Sequence, residues 1–420
     1  MGTKKRIAFI NQRYGEEVLG GSETYTRKTA EALALREGFE VEVLTSKAVD
    51  FKTWANYYEK DVEIINGVTV RRFKTARNRD RFTQRSLQIL KNVFSISSIG
   101  LEEKRLKARG PYTPDLVEFI KEHKDEYDAF IFVTYMFYPT YFGAREVYEK
   151  AFFVPTAHDE EPIYMEIYKE LFNSVKGIIY LTEEEKEFVN KQFKNCNVPS
   201  IVNGMGIEIP EEDNSKEFCE KNGIDGKYIV YCGRIEENKG VKMLIEYVQR
   251  YNEELAKNKE CEALKAAESN PNGCPAPKVP GSPESIKLVL TGKGGMSVPD
   301  DKNIKYLGFV SDEDKFSAMK GSMAICLPSK YESFSITLLE GMGCGKPALV
   351  NAKSEVLDGH IKKSGGGFSF ENYEEFKESL EKLLDEDMNK ELGIKALEYV
   401  RENYSKEAVI SRLAEFVDKQ

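Results

Sequence analysis

Two carboxylates, Glu332 and Glu340, stand in an otherwise apolar and glycine-rich stretch, KYESFSITLLEGMGCGKPALV, at positions 330–350. On one continuous helix, eight positions would set them about 80° apart around the axis, and they would diverge. The stretch reads better as a strand that ends near Leu327 and Pro328, a loop that carries Glu332, and a helix capped by Ser335 that carries Glu340. Gly345 and Pro347 close that helix. The N–H groups of residues 334–337 then lie at a helix start, where anions bind. Gly341 and Gly343 each cost ~1 kcal/mol against alanine inside a helix, a cost that usually marks close backbone packing. A solvated loop acid followed by a plain N-cap would use the same residues.

Other groups share this placement at strand ends. In CGRIEENKGVKMLIEYV, Arg234 follows an apolar run and Lys239 precedes a helix. Arginine grips phosphate as a fork and lysine as a point charge, so the two could hold a diphosphate. A solvated turn is the alternative. Gly20 and Gly21, in GGSETY between the first strand and first helix, would let a ligand approach the backbone. They are not a dinucleotide fingerprint, since the third glycine of G-x-G-x-x-G is missing both here and in TGKGG at 291–295. His158, one of three histidines, follows the apolar run FFVPTA and falls at a strand end, although a lone histidine is more often structural.

The elements that must position these groups repeat in two series. Runs at 6–10, 40–45, 68–73, 129–134, 152–157, 177–182 and 200–203 read as strands, separated by helix-like patterns. Five more buried strands are expected at 228–234, 286–295, 304–310, 324–329 and 347–352, followed by amphipathic helices. The alternation predicts two α/β domains with parallel sheets, whose strand ends would face each other across a cleft. The expected domains are 1–205 and 206–404. Residues 252–285 break the rhythm with an extended helix and a Pro/Gly/Ser-rich loop.

Composition bounds the rest. A chain of 420 residues suits two domains. No apolar run approaches the ~18 residues of a membrane span, and the short apolar run at the N-terminus reads as a strand rather than a signal peptide. Seven cysteines without a CxxC pair point to a reducing, cytoplasmic setting and to no metal site, Cys261 and Cys274 included. The net charge of −9 argues against a nucleic-acid partner. Residues 71–109, however, hold twelve basic residues against Asp80, Glu102 and Glu103, a local charge of +9 that leaves the remainder at −18. Phe82, Leu87, Leu90, Phe94 and Leu101 interleave with Arg85 and Lys91, which suits an anionic membrane surface. A plain solvated surface is again the alternative.

Taken together, GRIEENKG, YLGFVSDED and ESFSITLLEGMGCGKP, in this order and spacing, resemble the glycosyltransferase family 4 enzymes, and the acidic pair matches that family's E-x7-E motif. The resemblance runs over nearly the whole chain and implies the GT-B fold, two Rossmann-like domains, with the final helix at about 405–420 packed back on the first. It implies a nucleotide-diphosphate sugar as donor, a saccharide or lipid-linked saccharide as acceptor, and no cofactor or metal. Glu332 would contact the donor sugar and Glu340 the ribose. Arg234 and Lys239 would neutralise the diphosphate, with Gly21 approaching it by its N–H, and His158 would bond the sugar. Ser333, Phe334, Ser335 and Ile336 would line the phosphate site, and Phe309 and Val310 the base. Departures are Ser333 and Ser335, where the family commonly has glycine, and Gly341 and Gly343, where it has alanine. The implied reaction is retaining transfer of a hexose or deoxyhexose in surface polysaccharide or glycolipid synthesis, by a cytoplasmic enzyme, peripheral on the inner membrane face. A GT-B epimerase and a non-catalytic sugar-nucleotide or glycan-binding subunit are the alternatives.

Overall fold

The computed structural model describes residues 4–18, 20–94, 98–269 and 285–420. The chain divides into unit 1, Met1–Gly206 with Lys406–Gln420, and unit 2, Ile207–Ser405.

Unit 1 is built on eight strands: β1 (Lys5–Ile10), β2 (Phe39–Ser46), β3 (Val62–Ile65), β4 (Val68–Phe73), β5 (Ala129–Val133), β6 (Ala151–Val154), β7 (Gly177–Tyr180) and β8 (Ser200–Val202). They lie in the order β3-β4-β2-β1-β5-β6-β7-β8. All neighbours pair in parallel except β3 with β4. Every residue of β5, β6 and β7 is buried, the continuous apolar run expected of a parallel strand covered on both faces. The edge strand β3 was not expected. Its residues alternate between exposed and half-buried, and it joins β4 through Asn66-Gly67, both at positive φ, a two-residue hairpin turn. The final helix, Lys406–Lys419, belongs to this unit. Its Phe416 ring meets Phe152 edge-on at 5.7 Å, and Arg412 donates to the Asn203 carbonyl at 3.2 Å.

Unit 2 has six parallel strands: β9 (Tyr228–Cys232), β10 (Lys287–Thr291), β11 (Ile304–Tyr306), β12 (Ala324–Leu327), β13 (Ala348–Asn351) and β14 (Gly367–Phe370), in the order β11-β10-β9-β12-β13-β14. The strand order reverses between β9 and β12, as it does between β1 and β5 in unit 1. Ligands of open α/β sheets bind at such switch points, beyond the C-terminal strand ends. Two expectations need correction. β11 is an edge strand whose Lys305 and Tyr306 are exposed, so it is not buried, and β14 went unforeseen behind three consecutive glycines. A helix spans Val241–Ser269, and Cys274 and the Pro/Gly/Ser-rich loop lie outside the described residues.

The helix Ile336–Gly343 shows why alanine is absent from it. A Cβ on Gly341 would stand 2.1 Å from Ile325 Cγ1 of β12, and one on Gly343 would stand 2.9 Å from Ile209 Cδ1. The missing side chains let this helix lie directly on the sheet. Gly341→Ala is therefore expected to destabilise unit 2 by about 1–3 kcal/mol, the usual cost of overpacking. A lower midpoint in thermal unfolding checks it, and an unchanged midpoint contradicts the close approach.

Candidate active site

In unit 2 the strand ends at the switch point bring together residues far apart in sequence. Lys239 Nζ lies 2.7 Å from Glu332 Oε1, with both side chains about four-fifths buried. Ser329 Oγ donates to the same oxygen at 2.7 Å. Gly240 makes this approach possible. It sits at φ 74°, and a Cβ there would come 2.4 Å from the Pro328 carbonyl, so the lysine turn rests on the end of β12. Arg234 shares the strand end but is exposed, 3.1 Å from Glu236. Tyr231, whose pKa is raised by burial, feels Glu332, Arg234 and Glu236 together.

Glu332 is a loop residue and Glu340 lies on the Ile336–Gly343 helix. Glu340 pairs with Lys315 at 2.9 Å. Burial works against the Lys315 charge, but Glu340 and Asp312 outweigh it and raise its pKa. Ser335 does not cap the helix as expected. Its backbone is left-handed, φ 64°, and its side chain makes no cap hydrogen bond. The turn is held instead by His360, which is buried. A carbonyl can only accept, so His360 Nε2–H donates to the Phe334 carbonyl at 3.1 Å, and Nδ1 accepts from the Tyr399 hydroxyl at 3.0 Å. Phe334 is buried, while Ser333, Ser335 and Ile336 are half-buried around the helix start, whose first N–H groups have no intrahelical partner. Phe309 exposes its ring, with Lys293 Nζ 4.7 Å above it, and Val310 is half-buried beside it.

Unit 1 contributes a second cluster. Two threonines stand in left-handed backbone after adjacent strands: Thr134 after β5, φ 69°, and Thr156 after β6, φ 53°. For β-branched residues this geometry is strained, and such strain gathers at functional sites. Their hydroxyls meet at 3.1 Å. His158 follows, with Nε2 3.8 Å from Glu160 Oε1 and a buried Nδ1 that meets no partner among the described residues. The Tyr135 hydroxyl donates to Glu160 at 2.8 Å.

Gly20 and Gly21 open the helix Gly21–Ala34. Space is open beside Gly21, and the room a Cβ would take on Gly20 is filled by the Glu23 carboxylate. Glu23 in turn is buried against Arg13 and accepts from Gln12 at 3.0 Å. Sequence reading missed Glu23, Glu160, Lys315, Ser329 and His360. Ser329 and Glu160 stand two or three residues from residues already singled out, so local sequence could have found them. Lys315 and His360 acquire their partners across the fold.

Burial pushes the Cys232 thiol up to about 11 and that of Cys344 to about 12, so neither is a thiolate at neutral pH. Among the described residues no group of three or more His, Cys, Asp or Glu is placed to hold a metal ion. A cavity lined by Lys227, Ser322, Lys346 and Asn389 lies at the N-terminal strand ends of unit 2, at the opposite edge from Glu332.

Comparison with known proteins gives this geometry a context. Residues 300–403 match the family described as glycosyl transferases group 1, a stretch that holds Glu332 and Glu340. An uncharacterized glycosyltransferase of Methanocaldococcus jannaschii is 21% identical over 371 residues, 84% of this chain and 82% of the relative. The solved structure of sucrose-phosphate synthase from Thermosynechococcus elongatus covers 99% of both chains with a TM-score of 0.66 at 16% identity. That of Anabaena HepE in complex with UDP and glucose covers 99% of this chain and 100% of its own, with a TM-score of 0.66 at 14% identity. The fold is GT-B. Together the matched segment and the fold support a glycosyltransferase of GT-B architecture.

One buried acid in this GT-B chain has a pH signature. Glu185, on the helix after β7, accepts the N–H of Ala157 at 2.6 Å and of Leu181 at 2.7 Å, and so fixes the backbone next to His158. Burial pushes its carboxyl up to about 8, against the two N–H groups that favour the charged form. A folded pKa above the unfolded one gives stability that is complete below the unfolded value and is lost as pH rises through the folded value. Glu185→Gln keeps one acceptor and turns an NH2 toward the other N–H, so it is expected to be less stable than the parent at about pH 5. That gap should narrow toward about pH 9. Thermal midpoints of both proteins across this range check the sign, and a gap that stays constant from about pH 5 to about pH 9 would show a carboxylate ionised throughout.

Proposed function

We propose that this chain is a retaining, metal-independent glycosyltransferase of the family 4 type, which moves a hexose or deoxyhexose from a nucleotide-diphosphate sugar to a saccharide or lipid-linked saccharide. The observation that carries the reading is the Lys239–Glu332 pair at the unit 2 switch point, beside the start of the Ile336–Gly343 helix. A carboxylate that can accept sugar hydroxyls, a cation and a helix N-terminus within one strand edge suit a sugar, its diphosphate and the charge that develops between them. The crystallised HepE complex holds UDP and glucose, and nucleotide-sugar chemistry is taken from there to this chain as part of the proposal.

In the proposed step the acceptor oxygen attacks the anomeric carbon on the face from which the diphosphate departs. The carbon–phosphate oxygen bond breaks, and the leaving diphosphate takes the acceptor proton. Arg234, Lys239 and the helix start stabilise the negative charge on the diphosphate. Glu332 holds donor-sugar hydroxyls, Glu340 the ribose, and Phe309 and Val310 the base. Within unit 1, Gly21 and His158 are proposed as donor-contacting residues, the first by its N–H and the second by its ring.

Membrane association is proposed on narrower grounds than the raw charge of residues 71–109. Arg71 pairs with Glu42, Arg72 with Glu63 and Arg105 with Glu161, so part of the basic excess neutralises acids elsewhere in unit 1. Lys74, Arg77, Arg81 and Arg85 remain exposed, and so do Phe82, Ile89, Val93 and Ile99. Among the described residues no helix is long and apolar enough to cross a membrane. A peripheral enzyme on the inner, anionic face of the cell membrane, acting in cell-surface polysaccharide or glycolipid synthesis, fits this surface at ~1 kcal/mol for each basic residue near the lipid.

Lys239→Ala is expected to lower turnover by about 100-fold or more, on the scale of removing one transition-state donor. Unchanged turnover would remove Lys239 from the diphosphate. Thermal shift against UDP-, GDP- and dTDP-sugars should pick out one donor by its stabilisation, which grows with the logarithm of concentration over dissociation constant. Sedimentation with anionic vesicles at low salt should bring the protein down and neutral vesicles should not; failure to sediment in the first case contradicts the membrane surface.

A further inference from the structure

Arg79 and Arg109 of unit 1 are half-buried and, among the described residues, have no carboxylate in ion-pair contact. Arg79, on the loop after β4, donates from NH1 to the Phe51 carbonyl at 3.1 Å and from NH2 to the Gln84 amide oxygen at 3.5 Å. Arg109, at the end of the helix Ile99–Arg109, donates from NH2 to the Met136 sulfur at 2.8 Å. Every one of these acceptors is neutral. The Nε–H groups of both side chains are buried and meet no acceptor among the described residues. Other arginines nearby in sequence do have acids: Arg71, Arg72 and Arg105 are all in ion pairs.

Backbone contacts bring the two arginines together: the Asp80 N–H donates to the Ala108 carbonyl at 3.0 Å, and Gln84, whose amide oxygen accepts from Arg79, donates to the same carbonyl at 2.9 Å. Burial lowers the pKa of Arg79, and the charges of Arg109 and Arg81 lower it further, with Asp50 alone working the other way. Asp50 spends its oxygens on the N–H groups of Lys52 and Thr53 and on the Thr53 hydroxyl. Like charges brought together half-buried, with donors unmade, are costly unless an anion joins them. The location is informative as well. Arg109 reaches the Met136 sulfur, three residues beyond the end of β5, and the adjacent Tyr135 hydroxyl is bonded to Glu160, which lies 3.8 Å from His158. The pair therefore borders the strand ends of β5 and β6, where unit 1 carries its strained threonines.

The geometry points to Arg79 and Arg109 as a binding site for a phosphate ester on the acceptor. One guanidinium fork satisfies the two oxygens of a carboxylate, whereas two forks supply the donors and the charge for a tetrahedral phosphate dianion. The cations assigned to the donor diphosphate, Arg234 and Lys239, belong to unit 2, and the printed partners of Arg79 and Arg109 all belong to unit 1. The inference deepens the transferase reading and rests on it: the sugar would be passed to a hydroxyl on a molecule that also carries phosphate, either a soluble sugar phosphate or a lipid phosphate.

Isothermal titration with inorganic phosphate tests the site. An Arg234→Ala/Lys239→Ala double variant, altered only in unit 2, should still bind phosphate at one site. Arg79→Lys keeps the charge but loses the fork, and should bind at least about tenfold more weakly, the scale of one lost hydrogen bond to a charged group. Absence of binding in the double variant overturns the proposal, even if Arg79→Lys fails to fold, and so does full-strength binding by a folded Arg79→Lys protein. Competition then identifies the source. Displacement by glucose 6-phosphate supports a soluble ester, displacement by phosphatidylcholine vesicles containing phosphatidic acid supports a lipid ester, and displacement by neither overturns the assignment to an acceptor ester. Donor-induced thermal stabilisation is read on the parent and Arg79→Lys proteins, so loss of the phosphate site with donor binding intact is distinguishable from failure of the transferase reading.

Discussion

A parallel sheet delivers every strand's C-terminal end to one edge, and most of the chemistry in this protein follows from that constraint. At that edge the chain leaves the ladder, loops carry side chains outward, and helices begin with unused N–H groups. Where the strand order reverses, the loops of neighbouring strands run to opposite sides and leave room between them. In unit 2 this happens between β9 and β12, whose register sets Ile229 beside Ala324 and Val230 beside Ile325. The loops after these strands must then emerge side by side. That is why Lys239 and Glu332, 93 positions apart, meet at 2.7 Å.

Close approach of backbone to backbone makes the arrangement possible. Gly240 lets the lysine turn press on the Pro328 carbonyl, and Gly341 lets the following helix press on Ile325. His360 then holds the turn between them from the side, through the Phe334 carbonyl. The left-handed Ser335 sits at the same turn, and the left-handed Thr134 and Thr156 sit at the strand ends of unit 1. These three positions lie at the strand-end edge of their sheets, where a ligand would repay the strain.

Charge is organised on the same plan. Buried acids find partners: Glu42 takes Arg6 and Arg71, Glu23 takes Arg13, and Glu185 takes two backbone N–H groups. Of the twelve basic residues at 71–109, Arg71, Arg72 and Arg105 pair with acids elsewhere in unit 1. Arg79 and Arg109, half-buried with neutral neighbours, depart from this pattern.

The sequence by itself determined the α/β class, most of the strands and the split of Glu332 and Glu340 between loop and helix. Long apolar runs, helical periodicity and glycine or proline stops are local signals, and they act over a few residues. It did not show β3, because an exposed edge strand carries no apolar run, although Asn66-Gly67 marked its turn. It did not show that Ser335 leaves the helix uncapped, since that depends on the left-handed backbone the turn adopts. Nor did it show that Glu340 meets Lys315, that Arg72 neutralises Glu63, or that Arg79 and Arg109 lack an acid. Those outcomes depend on strand order and register, which bring together residues tens of positions apart. Partner choice for a charge is settled by distance in three dimensions, and only the tertiary structure sets that distance.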